Sequence, residues 1–235
     1  MNTTTTTNNN IQEYPGTWHD YYNMFKYKLM RYKNSCFPCS LHTILANLGY
    51  AADGNNIEDN WNKMLKEKYK DKDKGEDKGK GKGKGEDKGK DEDKIDLNHI
   101  VPAMPDLKDY LAQTPEINKC TCKDLFTPPE DKKGFATREE AENIAVQADT
   151  FMRAFGPSGI IVGVEHANVF FQNAAGVFFH YNPSTVKDSV ECEQIGFTRI
   201  EAVTGTDKTH AIRIIYNDIN DEEAVVSATC VMLIR

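Results

Sequence analysis

The sequence predicts an α+β fold, with helices first and an antiparallel sheet after them. Three observations carry this. The first half places apolar residues at the three-and-four spacing of amphipathic helices. Beyond Gly159 the pattern changes to short runs rich in β-branched and aromatic residues. Those runs are separated by short turns such as Asn173 to Gly176, which join antiparallel neighbours.

The Thr/Asn tract at residues 2 to 10 cannot bury apolar surface, so residues 1–13 read as a disordered tail. Pro15 and Gly16 mark a turn. Thr17 is a candidate cap for a helix from Trp18 to about Arg31, striped by Tyr21, Met24, Phe25 and Leu29. In NSCFPCSLHTILANLG, Asn34 to Gly49, Pro38 and Ser40 open a helix whose Leu41, Ile44, Leu45 and Leu48 recur at helical spacing. Gly49 closes it at the C′ position. A second amphipathic helix runs from about Ile57 to Tyr69, with Ile57, Trp61, Met64 and Leu65 on one face.

Residues 70–94 hold ten lysines, nine acidic residues and no apolar residue, so they read as a solvated insertion rather than a basic tail. Residues 95 to 135 read as irregular, broken by prolines, with a short helix from Asp106 to Ala112. Thr137-Arg138-Glu139-Glu140 is a capping box. It opens a helix to about Phe155, with Ile144, Ala148, Phe151, Met152 and Phe155 facing in, and Gly156-Pro157 stops it. Strands follow at Ile160 to Val164, Ala167 to Phe171, Val177 to Tyr181, Gln194 to Ala202, His210 to Tyr216 and Ala224 to Leu233. The expected organisation is one domain over residues 14–235, interrupted by the insertion.

The chain has 235 residues and a net charge of −7, which argues against a general nucleic-acid binder, because phosphate contacts need a basic surface. No apolar run approaches the roughly 20 residues that span a bilayer. The start, MNTTTTTNNN, has neither the basic nor the apolar region of a signal peptide. With six cysteines in a chain of this length, the expectation is a reducing, cytoplasmic setting and mostly free thiols. Nothing in the sequence fixes an oligomeric state.

The chemistry centres on Cys36, at or just before a helix N-terminus. Unpaired N–H groups and the positive end of the helix dipole stabilise a thiolate there, which is what a cysteine nucleophile needs. Downstream, His166 heads a strand and Asn182 ends the next one, before Pro183. In a hairpin both fall near the same end. An Asn carbonyl can then hold the Nδ1–H of the imidazole and leave the other nitrogen to take a thiol proton. Cys39 is a rival nucleophile one helical step inward. His180 is a rival base or orienter.

Cys36-Phe37-Pro38-Cys39-Ser40-Leu41 ahead of a helix ending Leu48-Gly49-Tyr50, followed by His166 and Asn182-Pro183, resembles the papain-like cysteine peptidases. The likeness is nearest to the double-glycine leader peptidase branch of bacteria and phages. It covers about Asn34 to Tyr50 and Gly159 to Ser184. It implies a nucleophile helix packed on the sheet, no cofactor, and thiol-dependent cleavage of an amide bond in a peptide or protein substrate. Cys36, His166 and Asn182 would form the triad. The family usually places a glutamine about six residues before the cysteine, and here Met30 stands there. Asn34 is the nearest amide to hold the oxyanion, with the Cys36 backbone N–H as second donor. Phe37 replaces a glycine.

Other chemistries use the same residues. An inactive relative would bind peptides or a partner. Cys36-x-x-Cys39 with Cys120-x-Cys122 would make a four-thiolate zinc site, although the second pair is tight for a knuckle. Cys36 and Cys39 alone would make a redox dithiol, but no βα unit precedes them.

Overall fold

The computed structural model describes residues 18–21, 25–30, 32, 34–49, 57–69, 106, 109–111, 122–129, 132–163, 166–184 and 191–235. The Thr/Asn tail and the insertion at 70–94 lie outside them. The fold is mixed α+β: one large antiparallel sheet with helices on both faces.

The segment from Trp18 is a hairpin and not the predicted helix. β1 (Trp18–Tyr21) pairs antiparallel with β2 (Phe25–Lys28), Trp18 opposite Lys28 and Tyr21 opposite Phe25. The two-residue alternation of Phe25 and Tyr27 wins over the helical stripe, because aromatic residues fit a pleated, half-buried surface. Phe25 is fully buried and stacks on Phe179 at 5.2 Å, Tyr27 leans on Tyr181, and Lys26 between them is exposed.

Helix α1 (Cys36–Asn47) begins two residues before Pro38. Proline is tolerated there because a first-turn N–H has no partner within the helix. The Cys39 N–H donates to the Ser35 carbonyl at 2.9 Å, closing the first helical turn. Its first ten residues, Cys36 to Leu45, are all buried, so α1 is enclosed rather than lying on the surface. Helix α2 (Ile57–Tyr69) has the predicted bounds, with Ile57, Trp61, Met64 and Leu65 buried. Of the short helix expected at Asp106 to Ala112, Asp106 and 109–111 are helical and the rest lies outside the described residues. Tyr110 there meets Trp61 edge-on.

The stretch read as irregular contains a strand, β3 (Cys122–Phe126). Helix α3 (Arg138–Arg153) opens on the capping box: the Glu140 N–H donates to Thr137 Oγ1 at 3.1 Å, and Glu140 Oε2 accepts from the Ala136 N–H at 2.7 Å. It ends two residues before Phe155, which is 96% exposed and does not face in as predicted. Residue 155 falls past the helix end, off its apolar stripe, and Gly156 turns the chain at φ +110.

The remaining strands are β4 (Ser158–Gly163), β5 (Ala167–Gln172), β6 (Phe178–Asn182), β7 (Glu191–Thr204), β8 (His210–Asn217), β9 (Glu223–Ala228) and β10 (Cys230–Ile234). Their order is β3-β10-β4-β5-β6-β7-β8-β9, every neighbour antiparallel. The single strand predicted from Ala224 to Leu233 is therefore two. The chain breaks at Thr229, whose N–H donates to the Gly163 carbonyl, and β10 leaves β8 to lie between β3 and β4. Because β9 and β10 are consecutive in the chain yet far apart in this order, the sheet curls until β9 touches β4.

Two apolar cores lie on its two faces. One joins Phe25, α1 and α2 to Ile161, Val169, Phe171, Phe179 and Met232. The other joins α3 to Ile160, Val162, Phe170, Val231 and Leu233. β4 and β10 serve both, which is why they read as unbroken apolar runs. α1 sits so close to β4 that a Cβ on Gly159 would stand 2.9 Å from Ile44. No helix among the described residues is long and apolar enough to cross a membrane.

Candidate active site

Cys36 is the first residue of α1, 3% exposed, and lies beside Ala167 at the start of β5. Backbone N–H groups of Ala167, Phe37 and Cys36 itself face its sulfur and favour the thiolate. Burial opposes them and dominates, so the thiol is pushed up rather than down. The N-terminal position alone therefore does not make the thiolate that the sequence led one to expect. The preceding Ser35 makes no side-chain cap, and its Oγ has no partner.

The Ala167 N–H ties Cys36 to the residue after His166. In the β5–β6 ladder Val169 lies opposite Tyr181, so the next step sets Asn168 against Asn182. His166 is then the diagonal neighbour of Asn182, within reach of an imidazole. Their side chains meet: His166 Nε2 lies 2.6 Å from Asn182 Oδ1. The nitrogen held is Nε2 and not the Nδ1 expected from the sequence, because His166 reaches Asn182 along the strand with its ring tip. Nδ1 is the nitrogen left over. His166 is exposed, and it is not hydrogen-bonded to Cys36.

Glycine at 163 makes the turn that carries His166. A Cβ there would collide with the His166 carbonyl. Cys230 sits at the same corner, opposite Gly163 in the ladder, with its thiol donating to the Gly163 carbonyl at 2.8 Å. Burial, then the neighbouring charge of Cys36, pushes the Cys230 thiol up to about 12, against a smaller opposing contribution from the Gly163 backbone.

Asn34 is buried, 6% exposed, and its Nδ2 has no hydrogen-bond partner, while its backbone carbonyl accepts from Trp61 Nε1. Such an unmet buried donor is costly, of order 1–3 kcal/mol. The Met30 side chain is buried, and its N–H donates to the Ser184 carbonyl at 2.9 Å. That bond ties the segment before α1 to the segment just past Asn182. Phe37 is fully buried.

The rival residues take other places. Cys39 faces the interior, its sulfur 3.6 Å from the Tyr181 hydroxyl. His180 is buried, stacked on Phe170 at 4.9 Å, with Nε2 on Asn168 Oδ1 at 3.0 Å and Nδ1 3.3 Å from the Tyr216 hydroxyl. Burial lowers its pKa to about 4, against a smaller opposing pull from Glu191. Both its nitrogens are engaged, so it is a core residue.

Cys36 and Cys39 are free thiols. Of the zinc set, Cys120 and the side chain of Cys122 lie outside the described residues, and among the described residues no three metal-ligating side chains converge.

Two residues of the corner were not anticipated. Cys230 arrives only because β10 inserts beside β4. Glu191, opposite Asn182 on β7, accepts from Asn182 Nδ2 at 3.1 Å. Neither carries a local motif. Compared with known families, with characterised proteins and with solved structures, the chain matches none.

Proposed function

We propose that this chain is a papain-like thiol hydrolase that cleaves a peptide or related amide bond, with Cys36 as nucleophile, His166 as base and Asn182 as orienter. The observation that carries the reading is the 2.6 Å His166–Asn182 hydrogen bond next to the residue whose N–H faces the Cys36 sulfur. Cys36 Sγ attacks the scissile carbonyl while its proton passes to His166 Nδ1. Asn182 Oδ1, on Nε2–H, steadies the imidazolium. The developing oxyanion takes the unmet Asn34 Nδ2 and the Cys36 backbone N–H. Asn34 thereby stands in for the glutamine that Met30 replaces. The imidazolium then gives its proton to the leaving amine. Water, deprotonated by His166, hydrolyses the thioester and restores the thiol. In this scheme the resting form is the thiol, and its proton leaves only as the bond to carbon forms, in keeping with burial of Cys36.

That same burial favours a second reading, a non-catalytic protein that binds a peptide on a degenerate version of the fold. Incubation with a panel of peptide aldehydes and epoxides, read by intact mass and peptide mapping, separates the two. The catalytic reading expects one adduct, on Cys36, lost in His166→Ala with the thermal transition unmoved. Equal labelling in His166→Ala, or labelling confined to Cys39, overturns it and leaves the binding protein.

A further inference from the structure

We infer that Glu191 is a positioning residue that decides which nitrogen of His166 is free to act as a base. An amide side chain presents an oxygen one way and an NH₂ the other, and either end fits beside an imidazole. What sets Asn182 is its second neighbour. Glu191 stands directly opposite it across the β6–β7 ladder, and its Oε2 lies 3.1 Å from Asn182 Nδ2. A carboxylate only accepts, so the amide nitrogen must face it. The amide oxygen is then turned on His166, where it meets Nε2 at 2.6 Å. An oxygen there requires Nε2 to carry the proton. The lone pair of the neutral ring therefore sits on Nδ1. Glu191 thus acts two residues removed from the imidazole, with no contact of its own to it. Its consequence for turnover rests on the catalytic reading above; its effect on the ring does not.

The contrast with His180 supports this. Asn168 holds His180 Nε2, yet no carboxylate is placed on Asn168, and His180 Nδ1 is taken by the Tyr216 hydroxyl. Only at the exposed pair is the amide flanked by an obligate acceptor.

The test reads the tautomer of His166 from its two imidazole ¹⁵N shifts in the full chain, at a pH where the ring is neutral. Wild type is expected to show Nε2–H alone. Glu191→Ala frees the amide and is expected to give a mixture. Glu191→Lys places a group that only donates at the same register position, so it draws Asn182 Oδ1 to itself and is expected to convert His166 to Nδ1–H. Adding Asn182→Asp to Glu191→Lys gives the ring an acceptor again and is expected to restore Nε2–H. Because Glu191 is exposed, these variants keep the fold, which amide shift dispersion checks. An unchanged tautomer in both single variants, or Nδ1–H in wild type, overturns the role. Failure of Cys36 to react with the peptide electrophiles sinks the hydrolase reading instead and leaves the tautomer result standing.

Discussion

His166 and His180 each meet an asparagine across the β5–β6 ladder through Nε2, at 2.6 and 3.0 Å. Each pair is a diagonal one, shifted by two residues along the same strands. They differ in what surrounds them. His180 lies inside the α3 core, stacked on Phe170 and tilted against Tyr216, with both nitrogens occupied. His166 lies at the open end of the ladder, where the apolar core stops, and its Nδ1 is left over. The same two side chains thus give a buried strut in one place and, in the other, an exposed pair whose second ring nitrogen is left over. Their chemistry is set by the second nitrogen and by water, and not by the pair itself.

The comparison breaks most sharply by truncation. His166→Ala is expected to lower Cys36-dependent turnover or adduct formation by about 10²–10⁴-fold, the usual contribution of a general base, with stability unchanged. His180→Ala is expected to do the reverse. It leaves Asn168 without its partner and opens a space beside Phe170, at a loss of roughly 3 kcal/mol in urea unfolding. Equal effects on both measurements in the two variants would erase the distinction.

Acid sharpens it next. His180 is held neutral down to about 4 by burial, while in the unfolded chain it takes a proton near 6.5. The unfolded state therefore binds more protons between those values. Stability from this residue is whole above pH 6.5 and declines as pH falls toward 4, by about 3 kcal/mol. Glu193, 3.6 Å from Nδ1, and Glu191 face the ring and soften the loss. Urea midpoints from pH 7 to 4 should fall less steeply in His180→Phe than in wild type, and equal slopes would show that His180 is not the residue held neutral.

A smaller effect is expected from Gly163→Ala. The added methyl meets the His166 carbonyl, so the turn must move, at about 1–3 kcal/mol. The His166 imidazole resonances should shift while those of His180 stay in place. Movement of both would mean that the two pairs are not independent.

The helix bounds of α2 and the capping box of α3 were legible because their periods are local and strong. The cluster of aromatic residues after Trp18 was not, since Tyr21, Met24, Phe25 and Leu29 satisfy a helical stripe while Phe25 and Tyr27 satisfy a strand. The packing of Phe25 on Phe171 and Phe179 decides between them. β3 was missed because its strand character comes from its partner β10, more than a hundred residues later. The meeting of His166 with Asn182 was readable from hairpin logic alone. The identity of the bonded nitrogen, the carboxylate behind Asn182 and the thiol of Cys230 were not. Each depends on register or strand order, which leaves no mark within a window of neighbouring residues.

The insertion of β10 between β3 and β4 has a consequence for how the protein is made. β3 pairs with β10 alone, and β4 lacks one edge until β10 arrives. At ribosomal rates of about 5–20 residues per second, the wait from β3 to β10 lasts on the order of 5–20 s. Through that interval the corner of Gly163 and Cys230 against which Cys36 packs is open, and the two cores share no completed wall. That corner is therefore closed only once β10 has been made, so a growing chain carries Cys36 and His166 well before the strand that completes their surroundings.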